Sequence, residues 1–180
     1  MKYRRSKSEG ATYFFTVVTY RRKRILCDNF NAALVKEAFT HIATNRPFKI
    51  DAFVMLPDHI HSVWTLPDGD NDYSTRWTLI KMYFTKRCDT RLKGGQSDNM
   101  KKKGLQGVWQ QRFWEHQIRD DRDFAAHVDY IHYNPVKHSL AERPVDWKYS
   151  SFHKYVKEGI YDKNWGAMTE LLFDDSIGNE

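Results

Sequence analysis

The sequence predicts a single α+β domain built on an antiparallel β-sheet with helices on its faces. Runs of aromatic and β-branched residues, which favour strands, alternate with stretches in which apolar residues recur at helical spacing. Their order is strand, helix, strand, strand, helix, strand, helix, and 180 residues suffice for one hydrophobic core but are too few to expect two domains. This order is that of a ferredoxin-like split βαβ sandwich, in which the third strand lies inside the sheet.

Local signals predict where each element begins and ends. Asp, Asn or Ser just before an apolar periodic stretch indicates a helix start, and Pro57-Asp58 indicates a tight hairpin turn. The predicted elements are strands over residues 11–20, 48–56 and 59–66, a short strand within residues 108–119, and helices from Asp28 or Asn29 to Asn45, from Ser74 to Leu92, and from Asp120 or Asp121 to Tyr133. The last helix is expected to end there because Asn134 precedes a proline and so avoids the α region.

Two segments are expected to lie outside the packed fold. Residues 93–107 are rich in glycine, lysine and polar residues, which predicts a flexible basic surface loop. A single domain is expected over residues 1–173, followed by a loose acidic tail over residues 174–180.

Charge is distributed unevenly along this basic chain. The net charge is +6 and the pI about 9.2, a balance that favours a polyanionic partner such as nucleic acid. Residues 1–24 carry eight basic side chains against the single acid Glu9, whereas residues 160–180 carry five acids against Lys163. The basic segment is a candidate DNA contact, and the acidic end either shields basic surface or is merely solvated.

Several classes of protein are disfavoured by composition. Cys27 and Cys88 have no CxxC spacing, so neither a disulfide framework nor a zinc ribbon is indicated. The N-terminus lacks the apolar stretch of a secretory signal, and no run approaches the ~18 apolar residues of a membrane span. We therefore expect a cytoplasmic protein without a membrane partner.

Two clusters of residues point to chemistry. His59 and His61 would share one face of a strand, where two imidazoles supply most of a divalent-metal site. Tyr130 and Asn134 are four residues apart in a helical pattern and so lie on one side of a helix. A metal that polarises a phosphate compensates for the weak nucleophilicity of a phenol, whose ordinary pKa is ~10. These are the parts needed to cleave DNA through a covalent tyrosine.

The chemistry needs a divalent metal but no nucleotide cofactor. Nitrogen and oxygen ligands without thiolates suit Mg²⁺ or Mn²⁺. Attack by Tyr130 would leave a 5′-phosphotyrosine and a free 3′-hydroxyl, and the covalent link conserves the energy needed to join strands again. The sequence holds no phosphate-binding loop of the kind that would supply ATP.

Less specific interpretations remain open for several residues. Tyr133 is the alternative nucleophile, and His127 could act as a proton carrier or metal neighbour or make a structural hydrogen bond. Trp109 and Trp114 could stack on unpaired bases or pack in the core. The candidate phosphate contacts are Arg4, Arg5, Arg21, Arg22, Lys23, Arg24 and Arg112.

Four motifs give the sequence a specific resemblance. Leu56-Pro57-Asp58-His59-Ile60-His61 resembles the His-hydrophobe-His motif of single-tyrosine HUH transposases. The stretch from His127 to His138, containing Tyr130, resembles the catalytic helix of one branch, the REP-associated tyrosine transposases. Residues 109–116 and 147–153 are similar to further motifs of that branch, and the resemblance spans about residues 3–165.

The resemblance implies a role for each site residue. It makes His59 and His61 metal ligands, Tyr130 the nucleophile and Asn134 the third ligand, where insertion-sequence relatives usually carry glutamine. It also implies the HUH-type transposase fold, single-stranded DNA with palindromic hairpins as the partner, and an active site built within one chain, which favours a monomer. The function it implies is a metal-dependent endonuclease and strand transferase that acts on hairpins of repetitive extragenic palindromes, associated with the bacterial nucleoid when bound to DNA.

Two rival functions remain. A non-catalytic hairpin-binding protein derived from a transposase would need neither the histidines nor the tyrosine. A metal phosphoesterase that activates water at His59 and His61 would not need Tyr130. A covalent protein–DNA adduct separates the first interpretation from both.

Overall fold

The computed structural model describes residues 8–167, 171–174 and 177–178. Within them the helices and strands follow the predicted order, with an additional short helix before the last strand and another near the end. The strands are β1 (Thr12–Val18), β2 (Lys49–Met55), β3 (His59–Thr65) and β4 (Trp114–Gln117), and the helices are α1 (Asn29–Asn45), α2 (Tyr73–Arg87), α3 (Asp98–Lys102), α4 (Asp121–Lys137) and α5 (Phe152–Lys157). No helix among the described residues has the length and apolar character that crossing a membrane requires.

The four strands form one antiparallel sheet in the order β2-β3-β1-β4. With α1 between β1 and β2 and α2 between β3 and β4, this is the predicted ferredoxin-like split βαβ arrangement, and the predicted fold class is confirmed. β2 and β3 form the expected hairpin, closed by a hydrogen bond from Leu56 N to His59 O of 2.9 Å. β3 is therefore an interior strand, paired on both edges.

The sheet separates two hydrophobic cores. On one face, alternate strand residues such as Phe15 and Trp64 pack with the apolar sides of α1 and α2, where Trp64 stacks on Trp77 at 4.3 Å. On the other face, Phe14 and Val63 pack with α4. The period of two along each strand assigns residues to these faces, so His59 and His61 lie on the face that α4 covers.

The helix starts follow the predicted capping chemistry with one exception. The Asp28 carboxylate accepts from Asn31 N and so caps α1. Asp72, not Ser74, caps α2 by accepting from Thr75 N, because the turn before it brings the Asp72 carboxylate to the exposed amides. α2 also ends at Arg87, short of the predicted Leu92.

The predicted end of α4 is wrong. Asp120 caps the helix as expected, but the helix continues through Pro135 to Lys137, so Asn134 has helical conformation despite preceding a proline. The residues around this proline are fully buried, Ile131, His132 and Asn134 each being 0% exposed. Burial of this turn outweighs the lost amide hydrogen bond and the local steric preference, which tertiary packing can do.

The segment between α2 and β4 is largely exposed but contains local structure. It includes α3 and is closed at its base by a hydrogen bond from Gly94 N to Gln106 O of 3.0 Å. Trp109, after the loop, is buried and packs edge-on against Phe84, so it belongs to the core. Trp114 is half-buried in β4 and stacks on His116.

The region after α4 returns to cover it. Phe152 of α5 is 0% exposed and packs against His132, whose Nε2 lies 2.8 Å from Ser151 Oγ. Further along, Ile177 packs into the core beneath α4, and Gly178 is buried. The sequence predicts a loose tail after residue 173; in the described part of that tail, Ile177 and Gly178 lie against α4.

Candidate active site

The two histidines of the motif lie side by side on β3. Both are buried, and their ring centroids are 4.8 Å apart. His61 is in register with Thr16 of β1 on one side and with Val54 of β2 on the other. Hydrogen bonding on both edges of the strand fixes the backbone beneath the pair, so both imidazoles are presented from a rigid platform.

Hydrogen bonds set the orientation of both rings. His59 Nδ1 lies 2.7 Å from Asp58 Oδ1, and His61 Nδ1 lies 3.0 Å from Thr16 Oγ1. Because an ionised carboxylate only accepts, neutral His59 carries its proton on Nδ1 and directs the lone pair of Nε2 to the other side of the ring. This carboxylate–histidine arrangement is the one that supports metal-ligating imidazoles in proteins.

Asp58 is kept ionised by its neighbours. Burial acts to raise the pKa of Asp58, but hydrogen bonds from His59 and Arg22 outweigh burial and lower this pKa to about 2. Arg22 Nη1 lies 3.2 Å from Asp58 Oδ2. Arg22 reaches this position from a left-handed backbone with φ 51°, next to Arg21 at φ 56°, a conformation that costs a non-glycine residue roughly 1–2 kcal/mol. The turn that follows β1 thus directs an arginine onto the carboxylate behind His59.

α4 brings the tyrosine to the histidines. Tyr130 is 1% exposed, and its ring centroid lies 5.3 Å from that of His61. Phe14 of β1 packs edge-on against the same ring at 6.2 Å. The phenol oxygen contacts Lys137 Nζ at 2.9 Å and the carbonyl oxygen of Gly178 at 3.3 Å. The tail therefore covers the atom that would attack a phosphate.

Asn134 lies on the same stripe of α4. Tyr130, Asn134 and His138 follow one another at intervals of four residues, so they share one side of the helix and its C-terminal end. The first contacts His61 and the last contacts His59, with ring centroids 5.2 Å apart in the second pair. Asn134, midway between them and 0% exposed, therefore lies on the side of α4 that meets the histidine pair. Its amide oxygen is a suitable hard ligand beside two imidazoles.

Tyr133, the alternative nucleophile, has different surroundings. Its ring packs against Trp165 at 6.4 Å, and Phe173 contacts both tyrosine rings, at 5.8 Å from Tyr133 and 5.4 Å from Tyr130. These contacts place it in the apolar layer under the C-terminal region. The structure therefore favours Tyr130 as the residue presented to the histidines.

A second histidine cluster lies at the start of α4. Among the described residues, one set of three side chains of the kind that bind metals lies close together: His116, Asp123 and His127. Their possible ligand atoms all lie within 4.8 Å of one another. His116 Nε2 lies 2.8 Å from Asp123 Oδ2, and His127 Nδ1 lies 2.8 Å from Asp123 O. The two imidazoles stack almost in parallel, at 13°. These hydrogen bonds connect β4 to α4, and His127 makes a structural hydrogen bond, one of the roles that the sequence left open for it.

The predicted phosphate contacts differ in their surroundings. Arg21, Arg24 and Arg112 are exposed. Arg22 is paired with Asp58, and Lys23 Nζ donates to Leu92 O at 2.9 Å and to Gly107 O at 3.3 Å. Lys23 thereby ties down the base of the loop after α2. Arg4 and Arg5 lie outside the described residues.

Three residues at the site were not singled out by sequence reasoning. Asp58 and His138 occur within the motifs, but only the structure shows that they contact His59. Lys137 is three residues beyond Asn134, past the predicted end of the helix, so its return to Tyr130 could not be anticipated. Its spacing of seven residues from Tyr130 would have been the signal had the helix been extended through Pro135.

Known proteins share this sequence and fold. The family described as "Transposase IS200 like" matches residues 7–134. A REP-associated tyrosine transposase of Escherichia coli K12 is 42% identical over 178 residues, which cover 98% of each chain. A solved structure of a REP-associated tyrosine transposase bound to a REP hairpin is 39% identical, with a TM-score of 0.81 over 100% of this chain and 98% of that one. The chain therefore belongs to the IS200-like transposase family and, within it, to the REP-associated tyrosine transposases.

Proposed function

We propose that this transposase cleaves and rejoins single-stranded DNA beside palindromic hairpins through a covalent bond to Tyr130. The observation that carries the proposal is the contact between Tyr130 and His61, at a ring separation of 5.3 Å, on the buried face of β3. The same residues would be unnecessary in a protein that only binds DNA. The relative whose structure holds a REP hairpin supports hairpin DNA as the substrate.

The donor set fits a divalent metal. His59 and His61 offer imidazole nitrogens whose opposite ring atoms are oriented by Asp58 and Thr16, and Asn134 offers an amide oxygen. Such ligands suit Mn²⁺ or Mg²⁺. When bound, the metal would polarise the scissile phosphate and stabilise the charge on its oxygens.

The protein's own groups supply the nucleophile and its position. Tyr130 Oη forms a bond to phosphorus, the bond from phosphorus to the 3′-oxygen breaks, and the phenol proton ends on the departing 3′-oxygen. The product is a 5′-phosphotyrosine and a strand with a free 3′-hydroxyl. Attack by another 3′-hydroxyl reverses the bonding and returns Tyr130 to the phenol. Tyr130 and His61 meet within one chain, which supports the monomer as the active unit.

The test is formation of a protein–DNA adduct. The protein is incubated with Mn²⁺ and a 3′-labelled single-stranded hairpin that carries flanking sequence from the source genome, and the label is followed on a denaturing gel. We expect a labelled species at the size of the protein, lost in Tyr130→Phe and retained in Tyr133→Phe, the matched control on the same helix. Both variants should bind the hairpin as the wild type does.

Two other outcomes would contradict the proposal. Cleavage that persists in Tyr130→Phe without an adduct would indicate a metal phosphoesterase that activates water. Tight binding of hairpins with no cleavage of any of them would indicate a non-catalytic binding protein. Replacing both His59 and His61 with alanine should abolish Mn²⁺ binding, measured by electron paramagnetic resonance, as well as cleavage.

A further inference from the structure

We propose that Lys137 is a second catalytic residue, which acts on the phenol oxygen of Tyr130; this inference rests on the function proposed above. Lys137 Nζ lies 2.9 Å from Tyr130 Oη and 4.7 Å from the centroid of the tyrosine ring. The two residues are seven positions apart on α4, which places them two turns apart on nearly the same side. The ammonium thus contacts the atom that reacts.

The direction of the hydrogen bonds at Tyr130 is fixed by chemistry. An ammonium group has three donors and no acceptor, so Tyr130 Oη accepts from Lys137. The phenol O–H is then available to donate, and it donates to the carbonyl of Gly178. A lone pair of Tyr130 Oη therefore faces the positive charge of Lys137, and the phenol hydrogen points at the carbonyl oxygen of Gly178 in the tail.

This charge is positioned for both directions of the reaction. In cleavage, the ammonium stabilises negative charge on the oxygen as it loses its proton and bonds to phosphorus. In joining, the bond from phosphorus to Oη breaks and the electron pair returns to Oη, 2.9 Å from the same ammonium in the resting structure. Tyr130 is 1% exposed, and a charge–charge interaction in a buried site is weakened less by water than one at the surface.

The position of Lys137 separates this role from DNA binding. Lys137 is an exposed residue, yet its Nζ contacts a buried phenol. A lysine that binds a DNA phosphate would instead contribute to hairpin affinity and to the salt dependence of that affinity. The effect of removing Lys137 should therefore fall on the rate of bond exchange and leave the dissociation constant for the hairpin unchanged.

The experiment compares Lys137→Met, which removes the charge, with Lys137→Arg, which retains it. Lys157→Met, an exposed lysine at the end of α5, is the matched control. Single-turnover cleavage is measured with Mn²⁺ on an ordinary hairpin substrate and on one whose scissile 3′-oxygen is replaced by sulfur. Because a thiolate departs without protonation, the sulfur substrate shows whether Lys137 acts by protonating the departing 3′-oxygen.

We expect Lys137→Met to slow cleavage of both substrates by about 10²- to 10³-fold, the usual effect of removing one preorganised donor. It should slow release of the isolated adduct by an added 3′-hydroxyl strand to a similar extent. Lys137→Arg should recover most of the rate, and the control should match the wild type. Hairpin affinity and thermal unfolding should be unchanged in all variants.

Four results would overturn the inference. Recovery of Lys137→Met by the sulfur substrate would assign the lysine to the departing 3′-oxygen. Loss of hairpin binding or a lowered unfolding temperature that accounts for the slower rate would assign it to binding or to structure. A wild-type cleavage rate in Lys137→Met, with Tyr130→Phe inactive, would refute the role of Lys137 and leave the proposed function standing. Cleavage by Tyr130→Phe would refute both the proposed function and this inference.

Discussion

Replacing Asp58 tests whether the carboxylate behind His59 prepares that ring for a metal. Asp58 accepts from His59 Nδ1 at 2.7 Å, a length typical of a charge-assisted hydrogen bond. Asp58→Asn keeps the size of the side chain and a possible acceptor but removes the charge. Asp58→Ala removes both, so His59 loses the partner that fixes its tautomer and orientation.

The magnitude follows from the role of such partners in other metal sites. Removing one typically weakens metal affinity by about 10- to 100-fold, which corresponds to about 1.4–2.7 kcal/mol. We expect Asp58→Asn near the lower value and Asp58→Ala near the higher one. Arg22 lies 3.2 Å from the same carboxylate, so without Asp58 its positive charge also repels the metal. The double variant with Arg22→Gln should recover part of the lost affinity.

The assay is a Mn²⁺ titration followed by electron paramagnetic resonance in the absence of DNA. Unfolding of the metal-free proteins in guanidinium checks that the variants are folded. Affinity within twofold of the wild type in folded Asp58→Ala would refute the reasoning, because His59 would then not depend on the carboxylate. A larger loss of Mn²⁺ affinity in Asp58→Asn than in Asp58→Ala would also contradict the reasoning.

Three further predictions follow from other contacts. Removing the chain from Asp174 onward should raise the initial rate of adduct formation about fivefold, since a hydrogen bond of about 1 kcal/mol to Tyr130 is lost; an unchanged or lower rate would contradict this. Burial lowers the pKa of His132 from 6.5 to about 3, so the unfolded chain binds a proton that the folded chain excludes. As pH falls below 6.5, the free energy of unfolding should drop by up to about 1.4 kcal/mol per pH unit. His132→Gln should flatten that decline in guanidinium titrations between pH 4.5 and 7, and a wild-type slope would refute the assignment. Finally, Arg24→Ala should reduce the slope of log affinity for hairpin DNA against log salt by about 1. Lys23→Ala, whose ammonium is bound to two carbonyls, should lower stability instead, and equal slopes in both variants would show that Arg24 makes no phosphate contact.

Much of the fold could be predicted because its signals are local. Aromatic and β-branched runs, helix caps and the Pro57-Asp58 turn predict the strands, the helices and the hairpin in their observed order. The alternation of β3 also predicts that His59 and His61 share a face. Local rules failed where packing outweighed them, at Pro135, since burial of α4 compensates for a missing amide hydrogen bond.

The sequence by itself determined the family, the order of the elements and the pairing of residues that lie close along the chain. Periodicity does this because the spacing of side chains along a strand or helix sets which face each one occupies. Only the tertiary structure decided which residues from other parts of the chain each strand or helix face contacts. Contacts such as Arg22 with Asp58 and Gly178 with the Tyr130 phenol join the turn after β1 to the β2–β3 hairpin and the tail to α4. They depend on how separate elements pack, and no local pattern in the chain specifies that.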